Sequence, residues 1–188
     1  AAAGVAVQPG SAALAVGGGV DQLGPNPAEA LIRGTGDWTL RWLCVVLAVT
    51  PVRQIFQLPA LARLRRTLGL TVFAYAVLHL LSYGWLDMGL DWTDIAHDIA
   101  KRPFILVGFV SWMILLALAL TSSNAAVRWL GGRRWQWLHR AVYGVAPLVI
   151  LHFYWMRAGK HNFTDVAMYG LLLALLLGWR LRRKIRGY

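Results

Sequence analysis

Long, almost uncharged apolar blocks constrain this chain more than any motif does. Thr67–Leu86, Pro103–Thr121, Trp135–Met156 and Val166–Trp179 each carry few or no ionisable residues. A helix needs about 20 mostly apolar residues to cross the ~30 Å hydrocarbon core of a bilayer. The first three blocks meet that length, and the fourth does so with its flanks. Trp38–Val52 is a shorter fifth candidate, with Arg41 able to carry its charge outward on an apolar stem. Lipid offers backbone polar groups no partner, so such blocks become helices. The expected class is all-α, a polytopic bundle of transmembrane helices with five to six spans.

Charge then orients the bundle. Only 14% of the 188 residues are charged, yet the net charge is +11. If the spans alternate, 13 of the 19 Lys and Arg fall on one side with no acid, and all 8 acids fall on the other with the remaining six basic residues. Short loops rich in Lys and Arg stay cytoplasmic. The C-terminus is therefore expected in the cytoplasm, and the spans in a bacterial inner membrane. The basic runs point to membrane lipid headgroups, not nucleic acid, because they sit at span ends. Trp85, Trp92 and Trp155 near one boundary, and Trp129, Trp135, Trp137 and Trp179 near the other, read as the aromatic belts of an interface. Cys44 is the single cysteine and lies within a block. Disulfides, CxxC redox chemistry and cysteine-ligated clusters are thereby excluded within this chain.

Residues 1–23 are mostly Ala, Gly and Val and read as a weak first span, a signal-like segment or a disordered start; residues 24–188 form the transmembrane domain. Gly24–Asp37, with two prolines and two further glycines, reads as a loop. Pro51 is expected to end the following helix, with Gln54–Arg66 as a connection. Asp87–Arg102 is a longer acidic loop with room for an amphipathic turn. Ser122–Arg134 and Arg157–Phe163 are short connections. No GxGxxG or P-loop pattern occurs, which argues against nucleotide chemistry here.

Three histidines fall inside the apolar blocks, where ionisable side chains are costly and are candidates for function by default. His79 follows Arg66 by 13 residues, and His152 follows His139 by the same interval on a helix running the same way. At 1.5 Å per residue, His79 and His152 lie about 20 Å from the basic boundary and His139 near it. Two neutral imidazoles on facing helices suit the axial positions of a haem iron, and small residues beside them (Ala74, Ala76, Gly84, Gly144, Ala146) leave room for the macrocycle. On an ideal helix His139 and His152 are about 140° apart, so sharing a face requires an irregularity, and Pro147 lies between them. A buried histidine that only hydrogen-bonds a neighbouring helix is the plainer alternative. His97 and His161 read as solvated loop residues.

The segments Arg65-Arg66-Thr67-Leu68-Gly69-Leu70, Leu78-His79-Leu80-Leu81-Ser82-Tyr83, Arg102-Pro103, Ala119-Leu120-Thr121-Ser122 and Trp135–Tyr143 resemble the MsrQ family of the ferric-reductase-like transmembrane superfamily. The resemblance runs from about Gly24 to the end of the chain. It implies six helices, haem b (one or two) and FMN. It further implies that electrons from the quinol pool or a cytosolic flavin reductase pass to the periplasmic MsrP, a methionine sulfoxide reductase that repairs oxidised envelope proteins. His79, His139 and His152 match the family's haem histidines. Where superfamily oxidases carry a further histidine 13 residues before the equivalent of His79, this chain has Arg66, which leaves an inner haem without a second ligand.

The combined expectation is a non-catalytic electron-transfer subunit of an oxidoreductase system. Arg66 and Arg140 would meet propionates or a flavin phosphate at the basic side, and Arg102 would do so at the acidic side. A stand-alone ferric or oxygen reductase, and a haem-free transporter or assembly factor, are the alternatives.

Overall fold

The computed structural model describes residues 25–159 and 162–186. The expected weak span within 1–23 and the loop histidine His161 lie outside them. Asn26 starts the first helix: its side chain accepts from the Glu29 N–H at 3.1 Å and Pro27 follows at the first helical position, as helix starts favour. This helix, α1, runs without interruption over Pro27–Ile55. The Gly24–Asp37 loop expectation is therefore corrected, because residues 27–37 are helical despite Gly34 and Gly36. Packing along α2 (Leu61–Ser82) supplies what propensity lacks. Pro51 does not end the helix either; it is buried within α1, which continues one more turn to Ile55.

α2 passes into a π-helical turn, Tyr83–Asp87, and a tight reversal with Gly89 and Leu90 at positive φ. The amphipathic turn expected in the acidic loop is a full helix, α3, Trp92–Lys101. Asp91 caps it, accepting from the Thr93 and Asp94 N–H groups at 2.8 and 3.1 Å. α4 follows directly over Pro103–Leu120. The short α5 (Asn124–Leu130) and α6 (Gly132–His139) lead into α7 (Val142–Ala158), and α8 spans Thr164–Ile185. The expected Trp135–Met156 span is thus two helices, broken at Arg140 and Ala141, while Pro147 sits inside an unbroken α7.

Among the described residues, four helical stretches are long and apolar enough to cross a membrane: Leu61–Asp87, Pro103–Leu120, Gly132–Ala158 and Thr164–Ile185. α1 is not one of them by composition, since Arg41, Pro51 and Arg53 dilute its apolar run. Its 29 residues nevertheless extend roughly 43 Å at 1.5 Å per residue, and it supplies much of the core through Leu40, Leu43, Cys44 and Leu47. The chain is a polytopic membrane protein, all-helical among its described residues.

Two antiparallel pairs carry the architecture: α1 with α2, and α4 with α7. α2 and α4 bring the pairs together, and α8 covers α1 and α7. Val72, Val145, Ala146, Phe153 and Leu173 complete the core between them. Large apolar side chains such as Leu120, Leu171 and Leu175 point outward, as lipid-facing positions require. Chain direction gathers the start of α1, the end of α2, α3, the end of α7 and the start of α8 at an acidic end. The opposite basic end holds the connections and the Arg-rich end of α8.

Candidate functional site

His79 stands in the last turn of α2, against the first third of α1. Its Nδ1 lies 2.9 Å from the carbonyl oxygen of Ile32. A carbonyl only accepts, so Nδ1 carries the proton and Nε2 keeps its lone pair. His152 on α7 repeats the arrangement: its Nδ1 donates to the carbonyl oxygen of Phe104 on α4, 2.6 Å away. Both imidazoles are thereby fixed in the tautomer that ligates through Nε2, the usual support given to a metal-bound histidine. The two ring centres are 6.2 Å apart and the planes are inclined by 81°.

Glycines permit this closeness. A Cβ at Gly36 on α1 would come within 3.1 Å of His79 Cε1. At Gly108 on α4 it would lie 2.8 Å from His152 Nδ1, closer than real Cβ atoms come. A cavity of about 540 Å³ opens beside the pair. Leu40, Ala76, Leu115, Val149 and Phe153 line its depth; Glu29, Arg33, Asp37, Asp87 and Arg102 line its acidic end. Trp112 also lines it, and its buried indole N–H has no hydrogen-bond partner among the described residues.

The acidic end is held by a small polar network. Asp98, buried on the inner face of α3, accepts from the Tyr83 hydroxyl at 2.7 Å and pairs with Arg102 Nε at 2.8 Å. Of the three arginines singled out from sequence, the structure brings Arg102 alone to the cavity. Arg66 instead donates to Asn124 Oδ1 at 3.3 Å at the basic end, where exposed Arg140 caps α6. His139 is also at the basic end, away from the histidine pair. Its Nε2 is 3.1 Å from Thr121 Oγ1 and its ring stacks on Trp135 at 4.1 Å. Because the Thr121 hydroxyl already donates to the Ala117 carbonyl at 2.7 Å, its oxygen accepts from His139 Nε2–H. His97 is exposed on α3.

Sequence reading missed Gly36, Gly108, Arg33 and Trp112. Gly36 lay in a segment read as loop, so no facing partner was sought for it. Gly108 is one small residue in an apolar run, and only the opposing imidazole gives it meaning.

Residues 35–150 match the family described as ferric reductase like transmembrane component. The chain is 64% identical over 160 residues to the protein-methionine-sulfoxide reductase heme-binding subunit MsrQ of Polaromonas naphthalenivorans, covering 85% of this chain and 73% of that protein. The MsrQ subunits of Herminiimonas arsenicoxydans and Ralstonia nicotianae are 50% and 52% identical, over 87% and 89% of this chain and 78% and 77% of theirs. No solved structure matches. With more than two thirds of each relative covered at this identity, and the family match covering more than half of the chain, the chain belongs to the MsrQ family of ferric-reductase-like membrane proteins.

Proposed function

We propose that this chain holds b-type haem between His79 and His152 and carries electrons across the bacterial inner membrane to a periplasmic MsrP. The single observation that carries the reading is the imidazole pair, both rings committed through Nδ1 to backbone carbonyls and both left with a free Nε2. Two metal–nitrogen bonds of about 2 Å, with roughly 1 Å more from each nitrogen to its ring centre, require ring centres roughly 6 Å apart. The observed 6.2 Å fits that requirement.

The surroundings fit haem better than a bare ion. Among the described residues no three His, Cys, Asp or Glu side chains cluster, whereas a protein-held ion usually takes at least that many. A porphyrin brings four nitrogens of its own and asks only for two axial ligands and an apolar slot. The cavity volume lies within the usual range for cofactor sites of about 300–1,000 Å³. Arg102 and Arg33 line the acidic end of the cavity and would be the cations available to propionates, and the Trp112 N–H, unpartnered among the described residues, offers a donor along the wall. When bound, haem supplies a one-electron carrier within the hydrocarbon. His79 and His152 would both ligate the haem iron and leave no position open to oxygen, which would favour electron transfer, and the apolar wall would exclude water.

Orientation follows from the basic end lying in the cytoplasm. Electrons then enter from the quinol pool or a cytosolic flavin reductase at the end that holds His139, Arg66 and Arg140. FMN, or a second and weaker haem that uses His139, belongs at that same end. The relatives' names, each a heme-binding subunit of a methionine sulfoxide reductase, support the cofactor and the system.

The test is spectroscopic. The purified protein should be red, with a low-spin b-type spectrum on reduction, and His79→Ala and His152→Ala should each lose most of the haem. After dithionite reduction and removal of excess, oxidised MsrP with methionine sulfoxide should reoxidise the haem. A colourless wild type, or full haem in both variants, rejects the site; absence of reoxidation rejects the partner.

A further inference from the structure

We infer that Gly36 and Gly108 are positioning residues that set the rotation of the two imidazoles, and through it the electronic state of the iron they would hold. The inference rests on the haem reading above and concerns how the ligands are held. An imidazole turns easily about its Cβ–Cγ bond, where the torsional wells are broad. A hydrogen bond from the ring nitrogen that does not face the iron is what fixes it. The acceptors here are carbonyls inside helices, Ile32 in α1 and Phe104 in α4. A helical carbonyl already accepts from the N–H four residues on, and Ile32 also accepts from the Thr35 hydroxyl at 2.9 Å, so an imidazole can reach only the flank left open. The residue four positions on stands over that flank, because helical Cα–Cβ bonds tilt towards the N-terminus.

At both acceptors that residue is glycine: Gly36 follows Ile32 and Gly108 follows Phe104. Among the described glycines, only these two would place a Cβ within 3.4 Å of another side chain, and each time the side chain is the imidazole. Small residues elsewhere in the bundle show no such contact: Gly34, Gly69 and Gly144 face open space. The device therefore occurs twice, once for each ligand, and nowhere else among the described residues. Its product is the 81° between the rings. Near-perpendicular axial imidazoles leave the ferric low-spin iron with almost degenerate dπ orbitals, which EPR reads as one strong resonance at very low field. Parallel planes give a three-line rhombic spectrum instead.

The experiment compares Gly108→Ala, Gly36→Ala and Gly34→Ala in detergent, with helix content followed by circular dichroism. Wild type should show the single low-field resonance. Gly108→Ala should move it towards a rhombic spectrum, and haem affinity should fall by about 10- to 100-fold, as for other outer-shell losses. Gly36→Ala should shift it less, because its added Cβ is 3.1 rather than 2.8 Å from the ring. Gly34→Ala should match wild type. A red Gly108→Ala protein with the wild-type resonance and affinity overturns the inference, as does an effect of Gly34→Ala equal to that of Gly36→Ala. If Gly108→Ala does not accumulate, Gly36→Ala decides alone, and an unchanged resonance there overturns it. A colourless wild type would instead reject the haem reading, so the two failures are distinct.

Discussion

Asp98 joins the surface helix to the cavity, and its removal should release α3 without unfolding the bundle. The carboxylate accepts from the Tyr83 hydroxyl at 2.7 Å, with 9% of the residue exposed. A buried hydrogen bond to a charged group contributes about 1.5–3 kcal/mol. Its ion pair with Arg102 is discounted, because the arginine side chain is 54% exposed, and such pairs contribute about 0.2–1 kcal/mol. Asp98→Ala therefore costs roughly 2–4 kcal/mol of local stability, a factor of about 30 to 1,000 in the opening equilibrium. Ile95, buried on the same face, remains as the apolar anchor. Amide hydrogen exchange over residues 92–101 reads this loss directly, since local opening sets protection. His97→Ala, exposed on the same helix, is the control and should leave exchange unchanged. Arg102 also loses the partner that holds it at the cavity mouth, so haem should dissociate faster from the Asp98→Ala protein. Wild-type protection across α3 in Asp98→Ala would refute the assignment of Asp98 as the tie between α3 and the π turn.

His139→Ala should leave the His79–His152 haem in place and slow reduction from the basic end, measured by haem quantification and stopped-flow with a quinol; total haem loss there, with retention in His79→Ala, would reverse the pairing. Thr121→Val should act in the same direction as His139→Ala, because it removes the hydroxyl oxygen that accepts from His139 Nε2–H at 3.1 Å. Arg180 donates to the Leu47 carbonyl at 2.6 Å and to the Tyr143 hydroxyl, so Arg180→Met should lower the thermal midpoint in detergent through loss of a charged bond of about 1.5–3 kcal/mol. If the exposed acids of the α3 region receive MsrP, Asp87→Asn with Asp94→Asn should slow haem reoxidation at low salt and less so at high salt; unchanged kinetics would remove this surface from the docking site. Asp98 is omitted from that variant because it is buried and paired, not available to a partner.

The membrane class and the common level of His79 and His152, whose rings stand 6.2 Å apart, were legible because they depend on block length and helical rise alone. Uncharged blocks of span length admit few alternatives to a helix, and equal offsets from a boundary place two residues at one level. What escaped was whatever depends on a second helix. Gly34 and Gly36 lower helix propensity, and with Pro25 and Pro27 they imitate a loop. Contact with α2 and the Asn26 cap override that weak preference, a choice invisible within residues 24–37. The 140° discrepancy between His139 and His152 pointed to a real irregularity, but Pro147 was the wrong place for it. The chain breaks at Arg140 and Ala141, where short α6 ends and α7 begins. Arg66, Arg102 and Arg140 could not be ranked by sequence, since a basic residue at a span end serves topology and ligand binding equally. Only placement separates Arg102, which reaches the cavity, from the other two.

The two halves of the site also explain each other. No repeat is visible in the residue types, yet α1 with α2 and α4 with α7 solve one problem in one way. In each pair the first helix offers a carbonyl and, four residues on, a glycine. The second helix returns antiparallel and presents a histidine to both. The separation from carbonyl to histidine is 47 residues in the first pair and 48 in the second. Such a correspondence leaves almost no sequence trace, because it needs only one glycine and one histidine per pair and any acceptor carbonyl. Its consequence is structural: each ring is referenced to its own helix partner, and the contact between α2 and α4 sets how far apart the two references stand. His139 has no such partner. The groups around it are the Thr121 hydroxyl and the Trp135 ring, side chains that hold an imidazole by hydrogen bond and stacking instead of leaving its Nε2 open. The difference in support, more than the difference in depth, is what separates the His79–His152 pair from the third histidine.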